Sequence, residues 1–201
     1  MDASSQKANQ NPSRSFILAS GSPRRKQLLK KIIPDFKVIS SDAEELKSHS
    51  GGPLTLVQEN AKKKAIPVAA NNPSCWVLGA DTLVFYQKEI LGKPKDLDDA
   101  VEMLSFLSGK THEVATGVSL QCNEINIVKT FSVTSSVTFK PISKKEIRLY
   151  FKEVNPLDKA GAYAIQTNAG MIIDRFVGSY SNVVGLPLES LGKVLKELSI
   201  S

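Results

Sequence analysis

The chain has 201 residues, enough for one compact α/β domain or for two lobes sharing a cleft. Hydrophobic residues make up 41%, enough to bury a core, and no apolar run is long enough to be a membrane-spanning helix. A net charge of +6 suits an anionic partner, but nucleotide, nucleic acid and membrane surface all qualify, and excess lysine also keeps a protein soluble.

Residues 1–14 are polar and contain no apolar h-region. They read as a disordered leader rather than a secretory signal, with residues 15–201 forming a single domain. Residues 16–19 form a short apolar strand. A helix follows from Ser22, with its apolar stripe at Leu28, Leu29, Ile32 and Ile33 and a break at Pro34. Residues 36–40 read as a second strand, and a Gly-Gly-Pro turn at 51–53 leads into a helix over about 54–66 that Pro67 ends or kinks.

Residues 75–78 and 82–86 are apolar and β-branched, separated by Gly79-Ala80-Asp81, and residues 89–91 form a further strand after a Gln87-Lys88 turn. Asp96 reads as the N-cap of a helix to Leu107, stopped by Ser108-Gly109. Residues 112–121 and 125–139 form a long antiparallel pair. Ser143 caps a helix through Phe151, and residues 188–198 form the last helix. Alternating elements followed by long paired strands point to an α/β fold with a mixed sheet.

Cys75 and Cys122 are the only cysteines and have no C-x-x-C spacing, so two buried free thiols in a reducing compartment are expected. His49 and His112, the only histidines, lack ligand spacing with either cysteine, so a zinc site is not expected. His112 in a strand reads as a structural residue, and Trp76 and Phe85 as core.

Three places carry chemistry. In Ser20-Gly21-Ser22-Pro23-Arg24-Arg25, Gly21 allows a tight turn, Ser22 caps the helix and Pro23 suits its first turn, so free amides face whatever lies beyond the strand. Two arginines at a helix N-terminus oppose its dipole by about 0.3–1 kcal/mol each, which makes sense if an anion binds there; a solvated charged turn is the alternative. In the second helix Val57, Ala61, Lys64 and Val68 share one apolar face, so Lys64 either meets an anion or carries its ammonium out to solvent. Asp81, between hydrophobic strands, must emerge at a strand end, meet a cation or take up a proton. Glu44 and Glu45 after the second strand are placed to join it, and Gly92-Lys93-Pro94 adds another lysine on a rigid turn. Carboxylates, lysines and arginines converging in one cleft suit metal-assisted attack of water on phosphorus.

The motifs S-G-S-P-R-R, G-A-D-T, G-K-P, S-G-K-T-H (108–112), D-K-A-G-A-Y-A-I-Q (158–166) and G-S-Y-S-N-V-V-G-L-P (178–187) stand in the order found in the Maf family, and the resemblance covers residues 16 to about 198. It implies a nucleoside triphosphate pyrophosphatase that cleaves between the α and β phosphates, using Mg²⁺ or Mn²⁺. The implied fold is of the Maf/Ham1 type, similar to the inosine triphosphate pyrophosphatases, with a mixed central β-sheet flanked by helices and two lobes around a cleft. By motif, Asp81 corresponds to the general base or metal-organising carboxylate and Glu45 to the second acidic residue, both metal ligands. Lys64 and Lys93 join them in catalysis and, with Ser20, Arg24 and Arg25, hold the triphosphate. Thr82 and Gln166, with Arg24, match positions linked to substrate choice.

Within the family the motifs resemble the branch acting on dTTP and UTP, with CTP or modified pyrimidine nucleotides as further candidates. Ala164 and Thr167 depart from it by standing where that branch has glycines, which adds bulk beside Gln166. The resemblance also implies a cytoplasmic homodimer with no membrane or nucleic-acid partner. The alternative it leaves is a nucleotide-sensing regulator linked to septum formation. A nucleic-acid binder ranks last, because only 6% of residues are aromatic and most lie in apolar strands.

Overall fold

The computed structural model describes residues 14–200, so the expected leader lies outside the described residues except for Arg14, which is ion-paired to Glu124 at 2.7 Å. The chain runs β1 (Phe16–Leu18), α1 (Pro23–Leu29), β2 (Lys37–Val38), α2 (Gly52–Asn71), β3 (Trp76–Tyr86), β4 (Glu89–Leu91) and α3 (Leu97–Leu107). It continues through β5 (Thr111–Cys122), β6 (Ile127–Phe139), α4 (Lys144–Tyr150), β7 (Ile173–Val177), α5 (Tyr180–Val184) and α6 (Leu188–Glu197). Among the described residues no helix is long and apolar enough to cross a membrane.

The seven strands form one mixed sheet in the order β2-β1-β3-β5-β6-β7, with β4 also pairing β3. β1 pairs in parallel with β2 and β3, and every other pairing is antiparallel. Alternation along the strands divides the core between two faces. Ile17, Ala19 and Val77 meet Ala65, Val68 and Ala69 of α2, whereas Phe16, Leu18, Leu78 and Ala80 join the larger cluster containing Leu28, Leu29, Leu104 and Leu107.

The caps follow the sequence. Ser22 accepts from the Arg25 amide, Asp96 accepts from the Asp99 amide, and Ser143 with Glu146 forms a capping box. Two expectations are corrected. Pro67 does not end α2, which continues to Asn71. Pro67 cannot donate to the Lys63 carbonyl, but Val68 and Ala69 beyond it bury their side chains against β1 and β3, and that burial offsets the lost bond. Residues 79–81 do not separate two strands either, for β3 runs unbroken from Trp76 to Tyr86 and Asp81 lies in its middle.

The reason for those small residues is α2. A Cβ on Gly79 would lie 2.2 Å from the Ala61 carbonyl oxygen, and one on Gly117, the β5 partner of Asp81, would lie 2.3 Å from that of Val57. The helix backbone therefore rests directly on the sheet. Along its other edge β3 pairs with β1 as far as Leu78 and with β4 only from Val84. Between them residues 79–83 pair only with β5, and a break in the sheet opens there.

Under the other face, His112, Phe139 and Tyr163 pack edge to face, with ring centroids 4.8–5.4 Å apart. His112 Nε2 and the Tyr163 hydroxyl share a 2.8 Å hydrogen bond. Cys122 is buried and Cys75 half-buried, and both are free thiols.

Gly117→Ala is expected to destabilise the fold by about 3 kcal/mol, because its methyl must displace helix backbone. Gly192→Ala in α6, where a Cβ meets nothing within 4 Å, should gain up to about 1 kcal/mol; urea unfolding midpoints compare the two. Burial pulls His112 down from 6.5 to about 4. The unfolded chain therefore binds a proton below about 6.5 that the folded chain refuses until about 4. Stability present above 6.5 is lost as pH falls through that window, by about 3 kcal/mol from this group. Urea titrations at pH 7 and pH 4 should show a drop smaller by about that amount in His112→Phe.

Candidate active site

The break in the sheet is the floor of a cleft of about 640 Å³, lined by Ser20, Arg24, Arg25, Glu45, Lys64, Asp81, Thr82, Lys93 and Gln166 together. These nine of the residues singled out in the sequence thus face one space, although they come from six segments of chain.

One wall is the turn from β1 into α1. Ser20 is buried, and its Oγ accepts from the Ser22 amide at 3.3 Å and from Arg25 Nη1 at 3.2 Å. Arg25 is held on all three nitrogens: Nε donates to the Gly185 carbonyl at 2.9 Å and Nη2 to Thr82 Oγ1 at 3.0 Å. Thr82 Oγ1 in turn lies 3.0 Å from Thr116 Oγ1, which donates to the Asn182 carbonyl. Arg25 is therefore a fixed cation whose fork is preset by neutral partners, which leaves its charge uncompensated by them.

Arg24, one residue earlier, points elsewhere. Its Nη1 lies 2.8 Å from Asp158 Oδ2 across the cleft, and Lys159 binds the other oxygen of that carboxylate at 2.5 Å. Partial burial pushes Asp158 up, but the hydrogen bonds and charges of Lys159 and Arg24 outweigh it and hold the carboxyl below its ordinary value.

The floor is built on Asp81. Residues 77, 79, 81, 83 and 85 of β3 face α2, so the Asp81 carboxylate points at the helix while Thr82 points to the opposite face, towards Arg25. Lys64 Nζ lies 2.7 Å from Asp81 Oδ1 and 2.6 Å from Glu45 Oε1. Lys64 thus meets anions instead of reaching for solvent, and one ammonium joins both carboxylates. Partial burial raises Glu45, yet the Lys64 hydrogen bond and the charges of Lys64, Lys93 and Arg25 bring it below its usual value. Glu44 is exposed and forms no part of this cluster.

Asn60, one turn before Lys64, was not anticipated. It is buried, donates from Nδ2 to Asp81 Oδ2 at 3.1 Å and to the Leu46 carbonyl at 3.1 Å, and accepts from the Leu46 amide at 2.8 Å. It thereby ties the backbone next to Glu45 to the same carboxylate that Lys64 holds. Its signal was present, since Asn60 lies at i−4 from Lys64, but an isolated Asn on a helix has many uses.

Asp158 and Gly185 lie in motifs that carried only the resemblance. The final wall is the segment 158–166: Gly161 donates to the Gly92 carbonyl at 3.0 Å, which couples it to the turn bearing exposed Lys93, and exposed Gln166 stands at its end.

The family described as Maf-like protein matches residues 15–198. The chain belongs to the Maf family. Among Maf relatives, the dTTP/UTP pyrophosphatase of Bacillus cereus strain B4264 is 45% identical over 187 residues, 93% of this chain and 97% of that protein. The dTTP/UTP pyrophosphatase of Bacillus cytotoxicus is 46% identical over 182 residues, 90% and 94% of the two chains. In three dimensions the Maf chain is similar to the Ham1 protein of Staphylococcus aureus, with a TM-score of 0.56 and 17% identity across 92% of this chain and all of that one. That likeness concerns the fold, and it agrees with the mixed sheet flanked by helices expected from the motifs.

Asp81 and Lys64 side chains retain 6% and 12% exposure, so neither ion is screened by water. Lys64→Met is expected to cost about 3–5 kcal/mol at neutral pH, because it strands a buried carboxylate. Urea unfolding should show that adding Asp81→Asn to it restores at least about 2 kcal/mol.

Proposed function

We propose that this protein hydrolyses nucleoside triphosphates, dTTP and UTP foremost, to the monophosphate and pyrophosphate. The observation that carries the reading is the Asp81–Lys64–Glu45 cluster facing the arginine-bearing turn of β1–α1 across one cleft. Its support in relatives is that the two Bacillus proteins are dTTP/UTP pyrophosphatases.

In this reading the triphosphate lies between Arg25, Arg24, Lys93 and Ser20, with its α-phosphorus over the sheet break. Asp81 accepts a proton from the attacking water, while the Lys64 ammonium holds the carboxylate in place. The water oxygen bonds to the α-phosphorus, the α–β bridging bond breaks, and the leaving pyrophosphate is matched by Lys93 and the arginines. Gln166 and Thr82 contact the nucleoside end.

Mg²⁺ or Mn²⁺ suits the cluster. Among the described residues no group of three or more His, Cys, Asp and Glu side chains converges, so Asp81 and Glu45 are the two hard carboxylates that would hold the ion, with the substrate phosphates supplying further oxygens. When bound, such an ion supplies charge neutralisation and a more acidic water. Two free thiols support a reducing, cytoplasmic setting. The exposed Phe176 and Val177 on the outermost strand support a homodimer.

The purified chain with Mg²⁺ or Mn²⁺ is expected to convert dTTP and UTP to monophosphate plus pyrophosphate, read by ion-exchange chromatography against CTP, GTP, 7-methyl-GTP and ITP. Asp81→Asn should lower kcat by about 10²-fold or more. Near-wild-type turnover in that variant removes Asp81 from the chemistry. Tight binding of a nucleotide without turnover of any would favour a sensor instead.

A further inference from the structure

Gln166 is an exposed side chain at the end of a segment with no α-helix or β-strand, yet a residue that reads a nucleobase must be held within a few tenths of an ångström. What holds it is a hydroxyl that plays the part of a β-strand. Tyr150, the last residue of α4, is fully buried and sends its hydroxyl against the backbone of Ala164. The Ala164 amide donates to that oxygen at 3.0 Å, and the hydroxyl donates to the Ala164 carbonyl at 3.1 Å.

Amide and carbonyl of one residue point the same way only when the backbone there is extended, as in a hydrogen-bonded pair of a sheet. One oxygen atom that engages both therefore selects the extended state at Ala164. The exposures on either side alternate accordingly: Tyr163 and Ile165 are buried, Ala164 is half-buried and Gln166 is exposed on the cleft. A second hydroxyl, that of Tyr163, anchors the preceding residue to His112. Burial pushes Tyr150 up from its ordinary value and the Ala164 bond pulls less strongly down, so the hydroxyl keeps its proton and remains both donor and acceptor.

The segment needs this help. Gly161 and Ala162 both have positive φ, at 68° and 63°, and Ala162 is not a glycine, so the chain enters the segment through a left-handed pair that resists persistence on its own.

We propose that Tyr150 is a positioning residue for nucleobase selection: its hydroxyl fixes Ala164 in the extended state and so sets where the Gln166 amide meets the base. The amide of a glutamine carries one acceptor and two donors in a fixed plane. Held in place, it distinguishes the 4-oxo edge of uracil and thymine from the 4-amino edge of cytosine. Released, it rotates to satisfy either. Tyr150 itself lines no part of the cleft.

The inference rests on the triphosphatase reading above, and steady-state kinetics on dTTP, UTP and CTP separates the two. An inert wild-type protein defeats that reading. With an active wild type, Tyr150→Phe should raise KM for dTTP and UTP about tenfold, keep kcat within about twofold, and shrink the preference over CTP several-fold. In a Gln166→Ala background the same substitution should change neither KM nor preference, a result that a general loosening of the fold would not produce. Unchanged KM and preference in Tyr150→Phe, or an equal effect with and without Gln166, overturns the proposal. If Tyr150→Phe does not fold, Tyr163→Phe removes the other hydroxyl anchoring the segment and is read by the same pattern and the same two overturning results.

Discussion

A carboxylate in the middle of a central β-strand is a severe constraint, because several kcal/mol are lost when an ion leaves water without a partner. Asp81 is 4% exposed, and on its own face β3 offers it only Gly79 and Leu83 as neighbours. The charge has to be met from outside the sheet, and α2 is the element that meets it, with Lys64 on one oxygen and Asn60 on the other. For the helix to come that close, the sheet beneath it must have no side chains, and Gly79 and Gly117 supply the bare patch. One requirement thus determines the strand composition, the height of the helix above the sheet and the polar residues on its otherwise apolar face. Glu45 follows, since the same ammonium that neutralises Asp81 reaches it, and Asn60 pins the backbone beside it.

The second determinant is the break in pairing along the edge of β3. β1 ends before Asp81 and β4 begins after it, so residues 79–83 face a space instead of a neighbouring strand. Alternation then sends Asp81 to one side of the sheet and Thr82 to the other, which lets the α2 side provide the carboxylate cluster and the α1–α5 side provide Arg25. The two arginines of one helical turn consequently differ in character. Arg25 is bound by neutral oxygens and is stationary, whereas Arg24 is matched to the charge of Asp158 on the opposite wall. Preorganised cations of this kind lose little on reorganisation when the substrate's charge moves during reaction.

Much of the fold was legible because local rules acted undisturbed. Ser22, Asp96 and Ser143 cap as their sequence contexts require, and the long β5–β6 pair shows in its Val, Thr and Ile content. Local rules failed where tertiary burial outweighed them. Pro67 is a breaker by its own chemistry, yet apolar residues beyond it gain more by staying helical. Gly79-Ala80-Asp81 looks like a turn, yet its small residues exist to admit a helix. β7 and α5 went unseen because residues 173–177 are mostly exposed and residues 180–184 span little more than one helical turn, too short for either periodicity to register.

The sequence by itself determined which side chains are present and the order of their motifs, and therefore the family, the arginine-bearing turn and the set of ions that must converge. Tertiary structure alone decided their partners. That Lys64 bridges two carboxylates, that Asn60 joins them, that Arg24 and Arg25 part company and that Tyr150 holds the backbone before Gln166 depend on segments 14 to 160 residues apart. Distances between such segments arise from how closely helix and sheet backbones can pack, a steric property of the whole molecule that no local pattern encodes.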